Sequence, residues 1–202
     1  MEHLCMTTIA IVYHSNGGHT RLQAEAVARG ATLAGASSVV LMTAQDAAQR
    51  LEELDAADAI IFGCPTYMGN ISAGMKVFME AAVGRWFTQA WKDKIAGAFT
   101  NSTNFSGDKL NTLTGLMVNA MQQGMIYVGL GMLPASNEPD AMSHLEGPSS
   151  AALNRIDAAL GPMATSFAVA AGDAPPIGDI LTAQAYGQRV AAITAQFIRG
   201  RA

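Results

Sequence analysis

Five short apolar runs rich in β-branched residues recur along this chain, each followed by a stretch with helical spacing. That alternation constrains the fold more than any other feature. The runs fall at 8–13, 37–42, 58–63, 94–100 and 125–130. Helical spacing covers 20–34, 46–54, 72–83, 109–123 and 180–199. Strands alternating with helices predict an α/β fold with a doubly wound parallel sheet. The third run carries Ala59, Ile60, Ile61 and Phe62 in succession, as a strand covered on both faces requires. The first helix is expected to bury Leu22, Ala26 and Leu33, and the third Met75, Phe78, Met79 and Ala82. Asp46 is expected to cap the second. Residues 131–150, rich in Pro, Ser, Asn and Gly, read as a long loop, and 151–160 as a short helix. No repeat or linker divides the 202 residues, so one domain over 1–202 is expected.

Charge and hydropathy narrow the partners. The net charge is −4 and no Lys/Arg cluster occurs, which argues against nucleic acid. No apolar run reaches the ~18–20 residues of a membrane span. The first six residues lack the basic and long apolar regions of a secretory signal. Cys5 and Cys64 are too few for a disulfide framework or a cysteine-rich zinc site, so no metal is expected and a reducing cytoplasm fits.

In open parallel sheets, ligands bind beyond the carboxyl ends of the strands. Three such loops have unusual composition. Ser15-Asn16-Gly17-Gly18-His19-Thr20 offers hydroxyls, an amide and two glycines before a helix N-terminus. It can hold an anion on backbone N–H groups without a cationic side chain, although an ordinary capped strand–helix turn has the same letters. It is neither a Walker A loop nor a dinucleotide fingerprint. Cys64-Pro65-Thr66-Tyr67-Met68-Gly69-Asn70 can lay a planar group against backbone, or form a tight turn with Tyr67 as surface cover. Asn101-Ser102-Thr103-Asn104-Phe105-Ser106-Gly107 is dense in polar groups. Together they are more specific than any one alone.

Residues 63–76, Gly-Cys-Pro-Thr-Tyr-Met-Gly-Asn-Ile-Ser-Ala-Gly-Met-Lys, resemble the signature of the WrbA family of flavodoxin-like NAD(P)H:quinone oxidoreductases, a group akin to NADPH-dependent FMN reductases. Residues 123–130 and 185–190 resemble two further stretches of that family. The resemblance implies a flavodoxin-like five-stranded sheet of order 2-1-3-4-5, which gathers the three loops at one end. It implies FMN as cofactor, NADPH or NADH as electron donor, and a quinone-like acceptor. Ser15, Asn16, Gly17, Gly18, His19 and Thr20 would surround the phosphate. Pro65, Thr66, Tyr67, Met68, Gly69 and Asn70 would border the isoalloxazine ring. Ser102, Thr103, Asn104 and Gly107 would supply a second wall. It further implies a homodimer or homotetramer with flavin sites near the interfaces. Gln123 stands where the family carries a histidine on the substrate side. Glutamine can hydrogen-bond a quinone oxygen but cannot supply a proton near neutral pH. Gly74 replaces a glutamine of the signature.

The alternatives are a flavodoxin-type electron carrier, which the modest charge fits poorly, and a flavin-binding regulatory protein with little turnover. Cys64 and most of the twelve methionines read as core filling. Trp86 and Trp91 read as packing or subunit contacts, with stacking over a neighbouring flavin as the sharper reading. His144 reads as a loop residue within reach of the site.

Overall fold

Strand alternation sends Ile9 and Ile11 to one face of the central sheet and Ala10 and Val12 to the other, and a separate core forms on each side. These and all following features come from a computed structural model that describes residues 6–201; Cys5 lies outside them. The elements are β1 (Thr8–Tyr13), α1 (His19–Leu33), β2 (Ser38–Thr43), α2 (Ala44–Gln49), α3 (Leu51–Asp55), β3 (Ala59–Tyr67), β4 (Asn70–Ile71), α4 (Ala73–Ala81), α5 (Val83–Thr88), β5 (Ile95–Ser102), α6 (Lys109–Gln122), β6 (Ile126–Tyr127), a 3-10 turn (Pro139–Ser143), β7 (Met163–Thr165) and α7 (Ile177–Arg201).

The sheet runs β2-β1-β3-β5-β6 with all pairs parallel, and β4 folds back on β3 as an antiparallel hairpin. The flavodoxin-like α/β architecture is therefore as expected, with two refinements. The hairpin strand β4 shifts the numbering, so the fourth main strand is β5. The fifth position is shared: β6 lies beside Ile95–Ala96, and β7 beside Thr100–Ser102. Only Ile126–Tyr127 of the expected fifth run is strand. After Val128, whose N–H bonds Ala96, the chain leaves the sheet; Leu130 bonds Ala159 instead.

The expected helix over 151–160 does not form. Asn154 and Asp157 hold positive φ, and the Asn154 side chain binds the N–H and carbonyl of Ala158 and the carbonyl of Met132. The second helix begins at Ala44 and is capped by Thr43, whose hydroxyl accepts the Asp46 N–H at 3.1 Å. It breaks at Arg50, where φ is −133°. Met75, Phe78 and Ala82 pack against Val12, Phe62 and Trp91, with Met79 half-buried beside them. On the other face α1 crosses α7 closely: a Cβ on Gly30 would stand 1.9 Å from the Gln184 carbonyl. That contact uses small residues, so Ala24, Val27 and Ala31 face inward while Leu33 is exposed. Both cores hold the carboxyl ends of β1, β3, β5 and β7 at one edge, where four loops open.

Candidate functional site

The loop after β1 is built to present N–H groups. Ser15 Oγ accepts the N–H of Gly18 (3.1 Å) and of Arg21 (3.3 Å), which folds the loop over the start of α1. Gly18 takes φ 88°, and a Cβ there would meet Ala171 at 2.9 Å. The N-cap residue Gly18 has no side chain to cap α1, and the first turn carries no acidic residue. The N–H groups of His19 and Thr20 make no hydrogen bond among the described residues. A helix end with free donors attracts an anion. His19 Nε2 lies 2.8 Å from the Val169 carbonyl, so that nitrogen carries the proton and ties the loop to the segment after β7.

At the end of β3, Pro65 and Thr66 enter the cleft while Tyr67 is partly exposed. The Thr66 hydroxyl sits in a buried cluster, 2.9 Å from that of Thr100 and 2.8 Å from that of Thr112. Met68 and Gly69 both have positive φ, as a two-residue hairpin turn of this hand demands. The Gly69 carbonyl accepts the Asn111 amide at 2.7 Å.

The loop after β5 is held from below. Lys109, fully buried, donates to Ser102 Oγ (2.8 Å) and to the Asn104 carbonyl (2.6 Å). Burial pulls the Lys109 ammonium down to about 8, with Asp179 opposing and Arg155 assisting. Asp179 forms a two-pronged pair with Arg155 at 2.7 and 3.0 Å. Burial nevertheless raises the Asp179 carboxyl above its usual range.

These loops enclose a cleft of about 190 Å3. It brings together Ser15, Asn16, Gly17, His19 and Thr20 from the first loop, Pro65, Thr66 and Tyr67 from the second, and Ser102 and Thr103 from the third. Gly18, Met68, Gly69, Asn70, Asn104 and Gly107 shape those loops without lining the cleft. Asn101, the first residue of the third loop, lines it too, as do Ser166 and Ala168, which the sequence did not mark. The polar pair Thr165-Ser166 was the available signal, but β7 is only three residues long.

Gln123 stands elsewhere. It closes the 14-residue α6, whose other end borders the cleft, so about 20 Å separates the two. Its side chain is buried, with Nε2 3.5 Å from the Ala82 carbonyl, beside a groove of about 480 Å3 between α4–α5 and α6. Trp86 lines the same groove and is partly exposed. Trp91 is buried and donates to Asp55 at 2.7 Å. Cys64 is buried, and its thiol is pushed up to about 11 by burial, so it stays protonated and inert near neutral pH. His144 is exposed in the excursion between β6 and β7 and does not line the cleft. No helix among the described residues is long and apolar enough to cross a membrane.

Free amide donors at a helix end, the end of β3 with its hairpin and a polar wall fit a phosphate-bearing mononucleotide. Comparisons with known proteins point the same way. The chain is 37% identical over 195 residues to a protein of Pseudomonas aeruginosa named flavodoxin FldP, covering 95% of this chain and 98% of that one. It is 34% identical over 142 residues to the NAD(P)H dehydrogenase (quinone) of Azorhizobium caulinodans, covering 62% and 71%. The crystal structure of a flavodoxin, WrbA-like protein from Agrobacterium tumefaciens superposes with a TM-score of 0.71 at 37% identity, covering 94% and 98%. The profile of the NADPH-dependent FMN reductase family matches residues 39–140. With half the sequence inside that profile and relatives this similar along its length, the chain belongs to the NADPH-dependent FMN reductase family.

Proposed function

We propose that this protein is an FMN-dependent oxidoreductase that passes electrons from NAD(P)H to a quinone or similar small acceptor. The observation that carries the reading is the first loop, with the unpaired N–H groups of His19 and Thr20 beside a cleft walled by the second and third loops. Ser15, Asn16, Gly17, Gly18, His19 and Thr20 hold the phosphate. Pro65, Thr66, Tyr67, Met68, Gly69 and Asn70 border the ring on the hairpin side. Ser102, Thr103, Asn104 and Gly107, joined by Asn101 and Ser166, close the other side. Bound FMN supplies the hydride-accepting chemistry, and the protein supplies placement and polarity.

The chain's own groups do three things. Ser15 fixes the loop so that the N–H groups of α1 meet the phosphate with little reorganisation. The threonine cluster Thr66–Thr100–Thr112 stiffens the floor of the cleft from within the core. Ser102 Oγ donates to the Asn104 carbonyl at 3.0 Å and accepts from Lys109, so the third wall is pinned before any ligand arrives. A cleft of 190 Å3 is smaller than the ~300–1,000 Å3 usual for small-molecule sites, which leaves part of a flavin nucleotide open to its co-substrates.

Gln123 lies too far from its own cleft to touch a substrate there. We assign it a substrate-side contact in the site of a second copy, within a homodimer or homotetramer. Val83 and Trp86, exposed in its groove, and Phe87, whose ring centroid is 4.6 Å from that of Trp86, supply apolar surface for that contact. NAD(P)H as donor and a protonated Cys64 agree with a reducing, cytoplasmic setting.

The test is anaerobic stopped-flow mixing of the yellow protein with NADPH and with NADH. Bleaching of the flavin band followed by reoxidation with benzoquinone is the expected result. Bound FMN that neither nucleotide bleaches would leave an electron carrier, the reading favoured by the name of the Pseudomonas relative. A protein that takes up no FMN would refute both.

A further inference from the structure

The side of the cleft formed by the third loop carries a charge imbalance in its foundations. Lys109 is fully buried and donates to Ser102 Oγ at 2.8 Å and to the Asn104 carbonyl at 2.6 Å. The Arg155 side chain is 7% exposed and Asp179 1%, and the two are paired through Nε–Oδ1 at 2.7 Å. Asp179 also accepts the Thr165 N–H at 2.9 Å, directly before Ser166 of the cleft lining. Arg155 is covered outside by the rings of Phe105 and Phe167, 5.3 and 5.8 Å from its guanidinium carbon. Two cations thus share one carboxylate. The nearest other acid in sequence, Asp108, is exposed to solvent.

A buried cation without its own anion is expensive to hold. Apolar side chains of similar length would fill the space of Lys109 at less cost, so packing alone does not account for it. Its donors reach the two groups that set the wall of the cleft. An anion on the other side of that wall would offset the excess positive charge.

We propose that Lys109, backed by the Arg155–Asp179 pair, is a positioning residue that biases the cleft toward the reduced, anionic form of FMN. The inference rests on FMN occupying this cleft. Oxidised FMN has a neutral ring. When a hydride from NAD(P)H enters it, two electrons and one proton are added and one negative charge stays on the ring, while the nicotinamide leaves as NAD(P)+. The cation beneath Ser102 and Asn104 favours that product over the oxidised form, and the bound cofactor becomes the easier to reduce.

The experiment measures the two-electron midpoint potential of bound FMN at pH 7, by reductive titration against reference dyes, together with the Kd for oxidised FMN. Lys109→Met weakens binding of reduced FMN about tenfold relative to oxidised FMN, a drop of about 30 mV in the two-electron potential. Lys109→Arg, which keeps the charge, stays near the parent value. Asp179→Asn removes the only shared anion and raises the potential. A structural disturbance has no reason to give opposite signs in these two variants. Should Met at 109 prevent folding, Asp179→Asn read alone decides, with a rise supporting the inference and a fall or no change overturning it. Lys109→Met and Asp179→Asn moving the potential together, or leaving it unmoved with FMN bound, would overturn this inference and leave the flavin site intact. Failure of the unmodified protein to bind FMN would overturn both.

Discussion

Replacing Gly74 by alanine should destabilise the protein, although in most helices the same change does the opposite. Gly74 lies in the first turn of α4, where alanine is ordinarily worth about 0.5–1 kcal/mol. Here the new Cβ would stand 2.5 Å from Cδ2 and Nε2 of the His14 ring. That ring is anchored by a 2.8 Å hydrogen bond between Nδ1 and Ser72 Oγ. Ser72 is the N-cap of α4 yet makes no capping bond, because its hydroxyl is turned to His14. The methyl group must push the ring off Ser72, forfeiting about 1 kcal/mol of hydrogen bond, and residual crowding adds about 1–3 kcal/mol. These losses exceed the helix gain, leaving a net destabilisation of about 1–3.5 kcal/mol. In a His14→Ala background the obstacle is gone, and Gly74→Ala should stabilise by about 0.5–1 kcal/mol. Urea unfolding of the four proteins, followed by far-UV circular dichroism, closes the cycle. If Gly74→Ala stabilises the parent, or carries the same penalty without His14, the steric argument is wrong.

Ser15→Ala removes the acceptor of one loop N–H and one α1 N–H and should raise the FMN Kd about tenfold, a loss of ~1.4 kcal/mol; fluorescence titration with FMN checks this, and an unchanged Kd contradicts it. Tyr186 is fully buried, donates to the Val128 carbonyl and accepts the Ala98 N–H at 3.2 Å, so Tyr186→Phe should cost about 1–3 kcal/mol in urea unfolding. Lys109 titrates near 8 when folded and near 10.4 when unfolded, so between those values the unfolded state holds the extra proton. Its charge therefore penalises the apoprotein below pH 8, the penalty is relieved as pH rises toward 10, and Lys109→Met should flatten that rise. At Asp55, burial raises the carboxyl, but hydrogen bonds from Arg85 and Trp91 and the nearby Lys94 outweigh it and hold the group below the usual carboxylate range. Stability from Asp55 is thus present above about pH 4 and lost in acid as the carboxyl protonates, an effect that Asp55→Asn should remove when Trp fluorescence follows acid unfolding.

The first three strands were legible because each centres on adjacent β-branched apolar residues, Ile11-Val12, Val39-Val40 and Ile60-Ile61. Their register places the loop at 15–20 beside residues 64–70, which are the end of β3 and its hairpin turn where the sequence reads as a loop. The last sheet position was not legible in the same way. It is assembled from Ile126–Tyr127 and Met163–Thr165, two fragments too short to show a period, brought together only by pairing with opposite ends of β5. Ser166 and Ala168 were missed for that reason, and with them the fourth wall of the cleft. Leu33 shows a different limit: helical spacing marks a face, but the small residues Gly30 and Ala31 that let α7 approach decide which face is buried. Gln123 shows where topology overrides motif. A residue just before a parallel strand lies at that strand's amino end, whereas the cleft lies at the carboxyl ends, and α6 spans the distance between them. Any contact between Gln123 and a substrate must therefore cross a subunit boundary. Within the proposed homo-oligomer, the substitution of histidine by glutamine would alter the acceptor side of a neighbouring site and leave the groups of the chain's own cleft as they are.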